Sequence, residues 1–239
     1  MPIPNLKKHI MKTTPITLLA GFALIAAAQA GTPSPAPAPA PGAGLWQWFA
    51  GASVGYLTDL EETMCSLQAG AEYTPSGARG SHSIYLEVAF TQDDASYSYN
   101  PPAGMTGGKS EKAAIDLNII PITLNYKFEA PITEQLHYYL GVGLGIAILD
   151  SSYDWSWSQS VAPPGNQGGG SDDQTEARFY GDVFAGLAYE VCPSFEVFAG
   201  VRYIFMDDAE RHMDVSGAAD YTAGINHDVL LELGARYNF

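Results

Sequence analysis

The segment His227-Asp228-Val229-Leu230-Leu231-Glu232-Leu233-Gly234-Ala235-Arg236-Tyr237-Asn238-Phe239 constrains this chain more than any other. Odd positions from Val229 to Phe239 are apolar or aromatic, while Asp228, Glu232, Arg236 and Asn238 fall on even positions. A period of two describes a β-strand with charge on one face and hydrocarbon on the other. The pattern runs up to the last residue, where soluble chains usually fray. Apolar-out, polar-in strands of about ten residues are what a transmembrane β-barrel requires, because each backbone polar group must be paired inside the bilayer.

The opposite end of the chain agrees. Lys7, Lys8 and Lys12 precede the apolar run Ile16 to Ala28, and Ala28-Gln29-Ala30 is a small-x-small cleavage site, so residues 1–30 are expected to be a secretory signal peptide. Met11 alone would start a compact leader. No Cys follows the cleavage site, which argues against a lipoprotein. No later segment approaches the ~18 consecutive apolar residues of a transmembrane helix. Residues 31–44, containing TPSPAPAPAPGAG, are expected to form an extended polyproline-like periplasmic spacer, and residues 45–239 one domain. The signal region holds three of the eleven basic residues and no acid, leaving 8 basic against 26 acidic residues, a net −18. Such a charge argues against nucleic acid as a partner.

Seven further segments alternate. Trp46, Trp48, Ala50, Ala52, Val54 and Tyr56 oppose Gln47, Gly51, Ser53 and Gly55; Cys65, Leu67, Ala69, Ala71 and Tyr73 oppose Ser66, Gln68, Gly70 and Glu72. Ile84, Leu86, Val88 and Phe90 oppose Tyr85, Glu87 and Thr91. Residues 113–128 start with Ile115, Leu117 and Ile119 outward and then change parity to Ile120, Ile122, Leu124, Tyr126 and Phe128, which predicts a β-bulge beside Pro121. Residues 137–149, 177–191 and 195–206 complete the set. Short connections at 75–80, 130–133 and 192–194 alternate with long ones at 93–112, 150–175 and 207–226; the first, 58–62, is short but lies on the long side. Short periplasmic turns, long extracellular loops and periplasmic termini are the outer-membrane arrangement. A soluble ligand-binding barrel would point its apolar face inward, with no aromatics gathered at strand ends. Here Trp46, Trp48, Tyr73, Tyr126, Phe128, Tyr138, Tyr189, Phe195, Tyr237 and Phe239 would form one girdle and Tyr56, Phe90, Phe179, Tyr203 and Phe205 another. The expected fold is all-β: an eight-stranded antiparallel up-and-down transmembrane β-barrel.

Three stretches carry a family resemblance: residues 119–128 (IIPITLNYKF), 139–145 (YLGVGLG) and Tyr237-Asn238-Phe239. Over residues 45–239 the chain resembles the small eight-stranded outer-membrane barrels, among them the porin-family, opacity-type and outer-membrane-protein-A-like domains. The resemblance implies that Leu231, Leu233, Tyr237 and Phe239 form a signal read by the barrel assembly machinery, and it implies adhesive or structural roles. Outer-membrane lipid and lipopolysaccharide would surround the wall.

An eight-stranded lumen is just wide enough for side chains. Glu72, Glu87, Lys127, Arg178, Asp182, Glu196, Arg202, Glu232 and Arg236 fall on inward positions and are expected to pair across it, Arg202 level with Asp182 and Glu232, Arg236 lower near Glu196 and Glu72. Cys65 and Cys192 fall at opposite ends of the barrel and should not bond. Gly141, Gly143 and Gly145 alternate within a strand and lack the turn and helix of a nucleotide loop, so no cofactor is expected. His212 beside Asp208 and Asp214 is read as part of a solvated acidic loop rather than a metal or catalytic site. The loop residues Tyr153, Trp155, Trp157, Asp207, Asp208 and Glu210 are the candidate surface for an extracellular ligand or host surface. The functional expectation is a non-enzymatic surface-interaction or structural protein with a plugged lumen. The alternatives are a narrow gated channel and a lipid A-modifying enzyme, for which no Ser/His/acid constellation is recognisable.

Overall fold

Eight antiparallel strands close on one another in the computed structural model, which describes residues 45–99, 109–159, 167–207, 211–213, 221–223 and 225–239. They are β1 (Leu45–Leu57), β2 (Thr63–Thr74), β3 (Ser81–Tyr99), β4 (Lys109–Pro131), β5 (Leu136–Gln159), β6 (Gln167–Cys192), β7 (Phe195–Met206) and β10 (His227–Asn238). The ring order is β1-β10-β7-β6-β5-β4-β3-β2, and β8 (Arg211–Met213) pairs with β9 (Tyr221–Ala223) in a separate hairpin. Closure removes free edges from the wall, so the ladder can satisfy the wall's backbone internally. Among the described residues no helix is long and apolar enough to cross a membrane, which says nothing of a β-barrel. The expected signal peptide (1–30) and spacer (31–44) lie outside the described residues.

Three tight turns gather at one end, here the turn end. Gly77 takes φ 78° in the β2–β3 turn, a conformation that favours glycine, and the Ala78 amide donates to the Pro75 carbonyl at 3.1 Å. In the β4–β5 turn the Leu136 amide donates to Thr133 Oγ1 at 3.0 Å. At the far end, the β1–β2 turn is held from the neighbouring strand β10. Asp228 accepts from the Asp59 amide (2.9 Å), the Leu60 amide (3.0 Å) and Thr58 Oγ1 (3.1 Å).

Sequence and structure part company in the length of four strands. Most of the segments expected as loops at 93–112 and 150–175 is strand: β3 to β6 run 19, 23, 24 and 26 residues, against 12 or 13 for β1, β2, β7 and β10. Their Ser, Asp and Gly content resembles loop sequence, yet the backbones stay paired, for example Tyr99 with Glu111 and Trp157 with Gly168. A four-stranded sheet therefore projects beyond the closed ring.

The bulge expected beside Pro121 is absent. Pairing of β3 with β4 keeps one register from Ser81↔Glu129 to Tyr99↔Glu111. Ile115, Leu117 and Ile119 consequently point inward, not outward, and are buried together with Pro121. The apolar residues change faces between Ile119 and Ile120 because the surroundings change, not because the strand slips. The other three long strands change at the same height. Gln92, Asn118, Asp150 and Thr175 form one outward row across β3–β6, joined by Gln92 Nε2 donating to Asn118 Oδ1 (2.7 Å) and Thr175 Oγ1 donating to Asp150 Oδ1 (2.9 Å). On the turn-end side of this row the outward face carries Leu86, Leu124, Leu144 and their neighbours; beyond it that face carries Asp94, Asp116, Ser152, Asp154 and Asp173.

Candidate functional site

The lumen and the inner face of the projecting sheet form one continuous surface, which rises from the turn end in storeys. The lowest storey is ionic. The Arg236 guanidinium Nη2 lies 2.7 Å from Glu72 Oε2, 3.0 Å from Glu196 Oε2 and 3.7 Å from Glu129 Oε2. Lys127 Nζ sits 2.7 Å from the same Glu129 oxygen, and His137 Nδ1 lies 2.7 Å from the other. Above it, Arg202 gathers Glu87 (3.1 Å), Asp182 (3.3 Å) and Glu232 (3.5 Å). Both guanidinium groups also lie over aromatic faces, Arg202 at 4.8 Å from the Phe184 centroid and Arg236 at 4.9 Å from that of Phe49.

Aromatic side chains fill the space between the two clusters, and glycine makes that possible. A Cβ on Gly200 would lie 2.2 Å from the Tyr139 hydroxyl, and one on Gly186 2.4 Å from it. The Phe184 ring lies over Gly141 and the Phe198 ring over Gly234 in the same manner. Tyr139 packs edge-on to Phe198 at 6.3 Å. What remains is a cavity of about 20 Å³ touched by Tyr85, Tyr139, Arg202 and Arg236, room for a water molecule and little else. Higher still the lumen is apolar. Leu57, Leu117, Ile119, Leu149, Ile204 and Leu230 are buried in one apolar cluster with Tyr180.

Eight of the nine charged residues expected in the lumen are thus assembled into two clusters: Glu72, Glu196, Arg236 and Lys127 below, Glu87, Asp182, Arg202 and Glu232 above. Arg178 is the departure. It pairs with Glu176 and is part-exposed, because its position on β6 lies above Tyr180, beyond the Arg202 cluster. Sequence reading missed Glu129 and His137. The parity that places Lys127 inward also places Glu129 inward, so the signal was present. Alternation puts Asp228 on the inner face but gives no hint of its grip on the first turn.

The expected loop residues fall on strands. Tyr153, Trp155 and Trp157 continue the inward parity of Leu149 and stand opposite Asp172, Gly170 and Gly168. Asp207 is exposed just beyond β7; Asp208, Glu210 and Asp214, and the His212 side chain, lie outside the described residues. Leu231, Leu233, Tyr237 and Phe239 all face outward and are exposed, with the Tyr237 and Phe239 rings 5.3 Å apart. Cys65 and Cys192 are both free, Cys65 opposite Phe90 towards the far end and Cys192 at the β6–β7 turn.

No family model matches the chain, and no curated protein matches it. Among solved structures it is similar to Neisserial surface protein A, at 16% identity over 81% of this chain and 97% of that one, with a TM-score of 0.44. It is similar to a major outer membrane protein from Thermus thermophilus at 15% identity, 81% and 99% coverage and a TM-score of 0.48. The attachment invasion locus protein of Yersinia pestis is similar at 12% identity, 82% and 99% coverage and a TM-score of 0.37. The neighbours are small outer-membrane β-barrels.

Proposed function

We propose that this is a non-catalytic outer-membrane protein whose closed barrel anchors a sheet that meets partners outside the cell. The face change at the Gln92–Asn118–Asp150–Thr175 row carries the reading. On the turn-end side of it, Ile84, Leu86, Leu124, Leu140, Leu144, Leu231 and Leu233 are exposed around the wall, an apolar surface far larger than water tolerates on a monomer. Trp46, Trp48, Tyr126, Tyr138, Tyr189, Tyr237 and Phe239 flank it at the turn end, and Tyr56, Phe179, Tyr203 and Phe205 at the other. An aliphatic belt between aromatic girdles suits a bilayer. Beyond the row the same strands turn their polar face outward, as a sheet standing in water would. Eight to ten residues per strand give that sheet a reach of about 30 Å.

An open edge supports a recognition role. Residues 167–175 of β6 pair with β5 and with no second strand among the described residues, and unpaired strand edges are docking sites for extended chains. The lumen, by contrast, is filled by paired charges and apolar packing, which favours an anchor over a pore.

Protease added to intact cells should cut between residues 150 and 175 and spare the 193–194 turn; the reverse pattern would invert the orientation. Replacing residues 152–173 by a short turn should leave the barrel folded and abolish binding of the cells to a partner surface. Undiminished binding would remove the recognition role. In a planar bilayer the purified protein should be silent or give rare small events, and steady large conductance would favour the channel alternative.

A further inference from the structure

The projecting sheet has a concave face whose composition differs from everything around it. Read across the register, its top row is Tyr99–Glu111–Trp157–Gly168, the next Tyr97–Ala113–Trp155–Gly170, and the third Ala95–Ile115–Tyr153–Asp172. Five aromatic rings and two carboxylates thus share three rows, with no Lys or Arg among the described residues of these rows. The convex face at the same height holds Ser, Asp and one Lys, with no aromatic ring beyond the boundary row.

The indoles are presented rather than packed away. Trp155 lies over Gly170 and Trp157 over Gly168, each against backbone, and a Cβ on the glycine would stand 3.0 Å from the Trp155 indole nitrogen and 2.6 Å from that of Trp157. Trp155 remains 42% exposed and Tyr99 39%. The β9 strand packs beside β3 and β4, and Trp155 stands on the β5–β6 half of the face. Asp172, exposed on β6, adds a carboxylate one row below Gly170.

We propose that this concave face binds a cationic polypeptide segment, taking Lys or Arg side chains over the Trp155 ring and against the Asp172 carboxylate. The inference rests on the recognition role given above and names the partner's chemistry. Aromatic π faces attract ammonium and guanidinium groups, and the attraction grows where a carboxylate completes the site. A neutral sugar could also stack on a flat ring and donate its hydroxyls to Asp172, but it would gain nothing from the net negative charge of the chain. Charge complementarity therefore favours a basic segment, and the strongly acidic chain as a whole would steer such a partner toward it.

Purified full-length protein in lipid nanodiscs would be titrated with oligolysine, with oligoglutamine and with a maltooligosaccharide. Oligolysine should bind, the other two should not, and the indole fluorescence should respond. Trp155→Ala, which leaves the charge unaltered, should weaken oligolysine about fivefold, while Trp155→Phe keeps most of the affinity. Asp172→Asn should weaken it about twofold, and Asp116→Asn with Asp173→Asn on the convex face should matter less than Trp155→Ala although it removes more charge. Equal binding to Trp155→Ala and the wild type, or a larger loss from the convex pair, would overturn the proposal in favour of diffuse charge attraction. Tighter binding of the maltooligosaccharide would overturn it in favour of sugar. Loss of cell binding on replacing residues 152–173, with oligolysine binding insensitive to Trp155, would sink this inference alone; undiminished cell binding would sink the recognition role beneath it.

Discussion

The lower and upper halves of the lumen are closed by opposite means. Below, six carboxylates from Glu72, Glu87, Glu129, Asp182, Glu196 and Glu232 meet Lys127, Arg202 and Arg236 around a small cavity. Above, Leu57, Leu117, Ile119, Leu149, Ile204 and Leu230 close it with hydrocarbon. Charge fixes geometry but is costly to leave unpaired, whereas hydrocarbon fills a space without that risk and tolerates adjustment. The two halves should therefore fail differently when cut, the ionic half through stranded charge and the apolar half through a void.

The largest effect is expected in the ionic half. Arg202→Ala leaves Glu87, Asp182 and Glu232 facing one another with no cation, and should destabilise the barrel by about 3–5 kcal/mol. The urea midpoint of refolded protein in vesicles measures it. The sharper version neutralises the partners too: Arg202→Met with Glu87→Gln, Asp182→Asn and Glu232→Gln should recover most of the loss. If the combined variant is no more stable than Arg202→Ala, the effect comes from lost packing and the contrast between the halves collapses.

In the apolar half, Ile119→Ala should cost roughly 2–4 kcal/mol through the cavity it leaves, with no rescue from neutralising nearby charge. The same urea titration compares the two directly. A cost below that of an outward-facing Ile122→Ala would mean that the upper lumen is already wet.

Within the ionic half, the packing between the two clusters depends on glycine. Gly200→Ala would set a methyl 2.2 Å from the Tyr139 hydroxyl, forcing the ring away from β7. A penalty of about 1–3 kcal/mol follows from such overpacking, and Gly200→Ala with Tyr139→Phe should recover part of it by removing the oxygen that collides. An unchanged midpoint for Gly200→Ala would show that Tyr139 has somewhere else to go.

Much of this was legible in the alternation, and the exceptions share one cause. Inward and outward assignments for β1, β2, β3, β7 and β10 follow directly from a period of two, because one face meets charge and the other hydrocarbon along most of their length. For β4 the period stays intact while the identity of the apolar face changes, and a parity argument that takes grease as outward converts that change into a slip of register. The Asp- and Ser-rich ends of β3 to β6 look like loops for a related reason. Outside the belt a strand has no need of an apolar outer face, so its composition approaches that of a turn. Arg202 and Arg236 can be placed by counting along antiparallel strands, whereas Arg178 cannot, since nothing in its own segment marks where the lumen stops. The concave aromatic face is visible in the sequence only as scattered Trp and Tyr; it takes the register to set Gly168 and Gly170 beneath the indoles.

The smallest effect should come from the place where the upper lumen meets the β1–β2 turn. Asp228 is fully buried, yet among the described residues its carboxylate is not paired with a cation in the manner of the lower clusters; it accepts from the Asp59, Leu60 and Val229 amides and the Thr58 hydroxyl. It acts as a cap on the turn at Thr58, Asp59 and Leu60, and so places Leu60 over the apolar cluster. Removing a cap of this kind costs about 1–2 kcal/mol, with the freed amides able to find water at the rim. Asp228→Ala should therefore lower the urea midpoint less than Arg202→Ala or Ile119→Ala, and amide exchange should accelerate at Asp59 and Leu60 while the β6–β7 ladder stays protected. Asp228→Asn, which keeps one acceptor oxygen, should fall between Asp228→Ala and the wild type. If exchange instead accelerates throughout the wall, Asp228 supports the barrel as a whole, and the apolar upper half depends on buried charge as much as the lower.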